Sequence, residues 1–101
     1  MLERTLQKDC LDWVKASFPD ILVVNVHGGG WSAKGFPDLL LCIHGQFVVC
    51  ELKTGSNDLD SAQKIWRRKI EQAGGAWYLI RELTTFKDIV EYEYRRNYQS
   101  H

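Results

Sequence analysis

Residues 35–55, "GFPDLLLCIHGQFVVCELKTG", limit the fold more than any other stretch of the chain. Two short apolar runs, 38–43 and 46–53, flank His44-Gly45, a pair suited to a two-residue hairpin turn. With that loop Ile43 faces Gln46, and counting outward Asp38 faces Glu51. Side chains alternate along a strand, so Glu51 and Lys53 share one face and Leu52 takes the other. Directly opposed residues carry Cβ atoms about 4.5–5.5 Å apart, and like charges there destabilise a sheet. A divalent cation between the two carboxylates converts that repulsion into coordination. Oxygen donors suit Mg²⁺ or Mn²⁺, and no Cys/His cluster points to zinc. A solvated edge-strand pair with Asp38 capping a turn is the plainer alternative for each motif taken alone.

The surrounding pattern predicts a sheet with helices packed against it. Leu2, Leu6, Cys10, Trp13, Val14 and Phe18 follow helical spacing over 2–18, and Pro19 disfavours helix at Phe18. Residues 21–26, "ILVVNV", read as a strand, and "HGGGWSAKG" as a loop whose glycines permit positive φ or close approach. After a polar loop, a helix starts near Asp60. It carries Ala62, Ile65, Trp66, Lys69, Ile70 and Ala73 on one face and stops at Gly74-Gly75. "AWYLI", 76–80, is a fourth strand. Thr84 or Thr85 can cap a last helix through Tyr94, followed by a polar tail. The order is α-β-β-β-α-β with a C-terminal helix, an α/β fold in one domain spanning 1–101.

Composition narrows the function. Lys plus Arg equals Asp plus Glu at thirteen each, so any contact with nucleic acid rests on a local patch. "KIWRRKIEQ" supplies one, with Lys64, Arg67 and Arg68 on an outer helix face. No apolar run approaches the roughly 20 residues that span a bilayer. The first ten residues are too charged for a signal peptide, and three cysteines (Cys10, Cys42, Cys50) fit buried reduced thiols. These features describe a soluble, cytoplasmic protein with no membrane association.

"KGFPDLLL", "FVVCELKTG" and "LDSAQKIW" together resemble the PD-(D/E)xK nuclease superfamily, and within it the virus-type replication-repair nuclease (VRR-NUC) domain. The match comprises PD, twelve intervening residues, ELK and a downstream Gln, and the element order agrees over nearly the whole chain. The resemblance implies a restriction-endonuclease-like core with a central mixed sheet flanked by helices. It implies that Asp38 and Glu51 bind metal with the Leu52 carbonyl, and that Lys53 acts on the attacking water and the scissile phosphate. Gln63 matches the family's downstream glutamine, although Asp60 and Gln63 also form a capping-box-like pair. Glu3 matches a first-helix glutamate that completes the metal shell in related resolvases, or simply complements the helix dipole. Lys34 and His27, in the loop before PD, are candidates to touch phosphate, although lone basic loop residues are usually solvated, and His27 has no evident metal partner in the sequence.

The implied activity is Mg²⁺- or Mn²⁺-dependent endonucleolytic hydrolysis of branched, Holliday-junction-like DNA by a homodimer, with a phage or mobile element as the implied source. Trp31, Tyr92, Tyr94 and Tyr98 are the aromatic candidates for a dimer interface. The alternatives are a non-catalytic or partner-dependent DNA-binding module of the same fold, or a flap- or single-strand-type nuclease.

Overall fold

The computed structural model describes residues 1–28 and 33–98. The elements run α1 (Glu3–Ser17), β1 (Leu22–Asn25), a 3₁₀ turn (Val26–Gly28), β2 (Leu39–Ile43) and β3 (Gln46–Leu52). They continue through α2 (Ser61–Gln72), β4 (Ala76–Ile80) and α3 (Leu83–Asn97). The sheet order is β1-β2-β3-β4, antiparallel except for the parallel β3–β4 pair that α2 connects. The predicted order holds, and the sheet is mixed.

The hairpin forms as its sequence dictates. His44 and Gly45 both have positive φ, 48° and 86°, which matches the right-handed twist of the strands they join. Pairing runs from Ile43↔Gln46 to Leu39↔Cys50. β3 is one of the two interior strands and is buried from Val48 to Leu52, hence its nearly unbroken apolar run. Alternation then divides its side chains. Val48, Cys50 and Leu52 join Leu6, Cys10, Val14, Phe86 and Val90 in the core beneath α1 and α3. Val49 packs with Ile70 and Trp77 on the opposite side, under α2. Glu51 belongs to this second face.

Several local expectations are corrected. α3 begins at Leu83 behind Glu82, whose side chain makes no cap bond, so neither threonine caps it. That helix also extends through Arg95, Arg96 and Asn97. On α2, Ile65 is 49% exposed and Ala73 is exposed too, because this helix buries a narrower stripe than its spacing suggests. Cys10 and Cys50 are buried thiols, but Cys42 is exposed. Tyr92 and Tyr98 are exposed, Tyr94 packs against Phe18, and Trp31 lies outside the described residues.

One buried carboxylate has a purely structural environment. Glu93 on α3 is fully buried. Tyr78 donates its hydroxyl to one oxygen, and Asn97 Nδ2 donates to the other at 2.9 Å. Arg96 approaches that second oxygen at 3.7 Å. Both oxygens are satisfied, as a buried charge requires.

Candidate active site

The hairpin brings Asp38 and Glu51 together at one end of the sheet. Asp38 lies one residue beyond the paired part of β2. Its N–H donates to the Cys50 carbonyl at 3.1 Å, and its own carbonyl accepts from Val26 at 3.0 Å. Its Oδ2 accepts the Leu52 N–H at 2.8 Å, tying the carboxylate to the backbone between Glu51 and Lys53.

Glu51 is only 4% exposed. Its Oε2 accepts from Gln63 Nε2 at 3.3 Å, and Oε1 has no hydrogen-bond partner among the described residues. Burial raises the Glu51 carboxyl well above the ordinary range, and the neighbouring Asp38 carboxylate adds to the shift. The Lys53 ammonium opposes this shift and Glu3 adds to it, so both charges act on the same carboxyl. The contrast with Glu93 is direct. One buried carboxylate has every oxygen occupied, and the other keeps an oxygen free beside a second acid.

That environment has a pH consequence. At acid pH Glu51 is protonated in both the folded and the unfolded chain and costs nothing. Above about pH 4.5 the unfolded chain releases the proton while the folded one retains it, so metal-free stability falls as pH rises. Glu51→Gln is therefore expected to melt with wild type at acid pH and increasingly above it towards pH 8. Thermal unfolding in EDTA across that range checks the widening gap.

Gln63 comes to the site through the start of α2. Asp60 Oδ1 accepts the Gln63 N–H at 2.9 Å, and Gln63 Oε1 accepts the Asp60 N–H at 2.9 Å, closing a capping box. The remaining amide nitrogen reaches Glu51. One side chain thus closes the capping box and contacts Glu51.

The segment before Asp38 is locked to the same helix. Ala33 to Phe36 form a turn closed by the Phe36 N–H to the Ala33 carbonyl at 3.0 Å, with Gly35 at φ 85° as a type II turn requires. A Cβ on Gly35 would lie 2.5 Å from the Ala62 carbonyl carbon. The outward-turned Lys34 carbonyl accepts Trp66 Nε1–H at 3.0 Å, and Phe36 meets the Trp66 ring edge-on.

Two contacts around these residues were not legible in the sequence. His27 Nε2 lies 3.4 Å from Asp38 Oδ1. Arg81 donates to the carbonyls of Gly55 at 2.7 Å and Asn57 at 2.8 Å, pinning the loop between Lys53 and the cap of α2. Sequence marks neither role, because both contacts arise from strand register and crossover. Glu3 stands in the exposed first turn of α1, and Lys64, Arg67 and Arg68 are exposed along α2. The glycine-rich loop reading at 29–32 falls outside the described residues.

The donor set fits a hard divalent ion. It offers two carboxylates, one with an unsatisfied buried oxygen, next to the backbone of Leu52. No group of three or more His, Cys, Asp or Glu gathers to hold a metal among the described residues. Mg²⁺ characteristically binds through one or two carboxylates and completes its shell with water and substrate phosphate.

A small α/β domain with a mixed four-stranded sheet and an acidic pair at one sheet end is the class this geometry defines. A solved structure described as a VRR_NUC domain has that same fold, with a TM-score of 0.69 over 88% of this chain and 94% of that one at 22% identity. The chain thus has the VRR-NUC fold anticipated from its motifs. No protein-family model and no curated protein matches the sequence. No helix among the described residues is long and apolar enough to cross a membrane.

Proposed function

We propose that the protein is a metal-dependent endonuclease that hydrolyses phosphodiester bonds in branched or otherwise structured DNA. The observation that carries this reading is Glu51, a buried carboxylate held against a second acid with one oxygen unsatisfied. Such a group is costly to ionise in a core that holds no cation.

In this reading Asp38, Glu51 and the Leu52 carbonyl, with Glu3, would hold Mg²⁺ or Mn²⁺. The ion would supply a water of lowered pKa and neutralise phosphate charge. Asp38 is fixed by the Leu52 N–H and Glu51 by Gln63, so both carboxylates are oriented before substrate arrives. Lys53 presents its ammonium to the phosphate as water oxygen bonds to phosphorus and the bridging P–O bond breaks, stabilising the charge on the non-bridging oxygens.

Grip on DNA comes from Lys64, Arg67 and Arg68, beginning one residue after Gln63 and lining a shallow concavity with Leu59 and Gln72. Arg67 also stacks on Trp77 at 4.6 Å and lies 3.5 Å from Glu71, which holds its guanidinium in place. Basic groups along a helix address phosphates, which position a duplex without reading its sequence. Recognition by shape follows, and a symmetric pair of chains sets two sites against two strands.

Wild type with Mg²⁺ or Mn²⁺ is expected to cut within a panel of junctions, flaps, single strands and plain duplex, and to stop in EDTA. Millimolar Mn²⁺ should raise its melting temperature by mass action, and Asp38→Asn should abolish that rise. A protein that binds these DNAs and cuts none is a binding module instead.

A further inference from the structure

The 3₁₀ turn after β1 carries a residue that the proposed chemistry has not used. The β1–β2 ladder ends with Asn25↔Leu39 and gains one more bond, from the Val26 N–H to the Asp38 carbonyl. The turn then swings His27 over the end of β2. Its Nε2 lies 3.2 Å from the Phe36 carbonyl oxygen and 3.4 Å from Asp38 Oδ1. A ring nitrogen set between two oxygens interacts favourably with them only as an N–H donor. Nε2 in that state is not itself a metal ligand.

The two oxygens of Asp38 therefore have different partners. Oδ2 is engaged by the Leu52 N–H. Oδ1 accepts no hydrogen bond among the described residues and is the more open of the two to a cation, and His27 Nε2 lies 3.4 Å from it. The contact is partly shielded, since the Asp38 side chain is 18% exposed and that of His27 36%. We infer that His27 is a positioning residue that aims Asp38 Oδ1 at the metal, an inference that rests on the metal reading proposed above. It does so by direct contact and by anchoring the Phe36 carbonyl two residues upstream. Groups that orient a metal ligand without binding the ion typically contribute 10–100-fold in metal affinity.

The test is Mn²⁺ affinity of the DNA-free protein, followed by the electron paramagnetic resonance signal of free Mn²⁺, alongside the metal-free melting temperature. His27→Ala is expected to bind Mn²⁺ about 10–100-fold more weakly. His27→Gln, which keeps an N–H donor, should bind Mn²⁺ close to wild type and more tightly than His27→Ala. Unchanged or tighter binding by folded His27→Ala overturns the inference, even where its melting temperature falls, because that pattern marks a structural role alone. Equal weakening in both variants overturns the donor role. Wild type that binds no Mn²⁺ overturns the metal site itself and this inference with it, whereas wild-type binding with an indifferent His27→Ala overturns only the latter.

Discussion

Lys53→Ala is expected to lower phosphodiester cleavage by on the order of 10²–10³ while leaving fold and DNA affinity nearly intact. Lys53 lies just past the end of β3, half-buried, where its N–H donates to the Ile80 carbonyl at 3.0 Å. Alanine keeps that backbone bond and fits the site without strain. Asp38 and Glu51 keep their hydrogen-bond partners, and saturating Mn²⁺ offsets the loss of the Lys53 charge that favours ionised Glu51, so on the proposed function the remaining loss reports charge directed at the phosphate. DNA affinity is spread over several basic residues and should change far less. Single-turnover cleavage with saturating Mn²⁺, paired with binding in Ca²⁺ or EDTA, separates the two quantities. Equal cutting by the variant would remove Lys53 from the chemistry.

Gly35→Ala is expected to be the most damaging single-methyl change near the site. The turn needs φ near 85° there, and the added Cβ would meet Ala62 backbone and side-chain atoms at 2.5–2.7 Å. Left-handed strain and overpacking against α2 together cost about 2–5 kcal/mol. For a domain of this size that lowers the melting temperature by on the order of 10–30 °C. Relief requires α2 to move off the turn, which withdraws Gln63 from Glu51. Surviving folded protein should therefore cut poorly, whereas Gly45→Ala, at a position with open space, should reduce stability without harming the site. Thermal unfolding and cleavage by both variants check the distinction.

Much of this was readable because the hairpin is local. A two-residue turn sets the β2–β3 register within the sequence itself, and that register brings Asp38 to Glu51. Gln63 was equally legible, since its helix starts at a cap that sequence marks. His27 was not, because its contact depends on how β1 aligns with β2 across the intervening loop. Glu93 was invisible for a related reason. It occupies a helix position that sequence reads as polar, and its Tyr78 partner arrives from β4. The threonines of α3 misled because they invite a cap, but the cap position is Glu82, two residues before Thr84, and the chain is already helical at Leu83.

The capping box of α2 ties the lifetime of the assembled site to helix fraying. The same Gln63 side chain that closes the first turn also restrains Glu51. Whenever that turn opens, the Gln63 amide proton loses its Asp60 acceptor and Glu51 loses its orienting partner in one motion. Amide exchange at Gln63 thus reports how often the Gln63–Glu51 contact opens, readable in the protein alone.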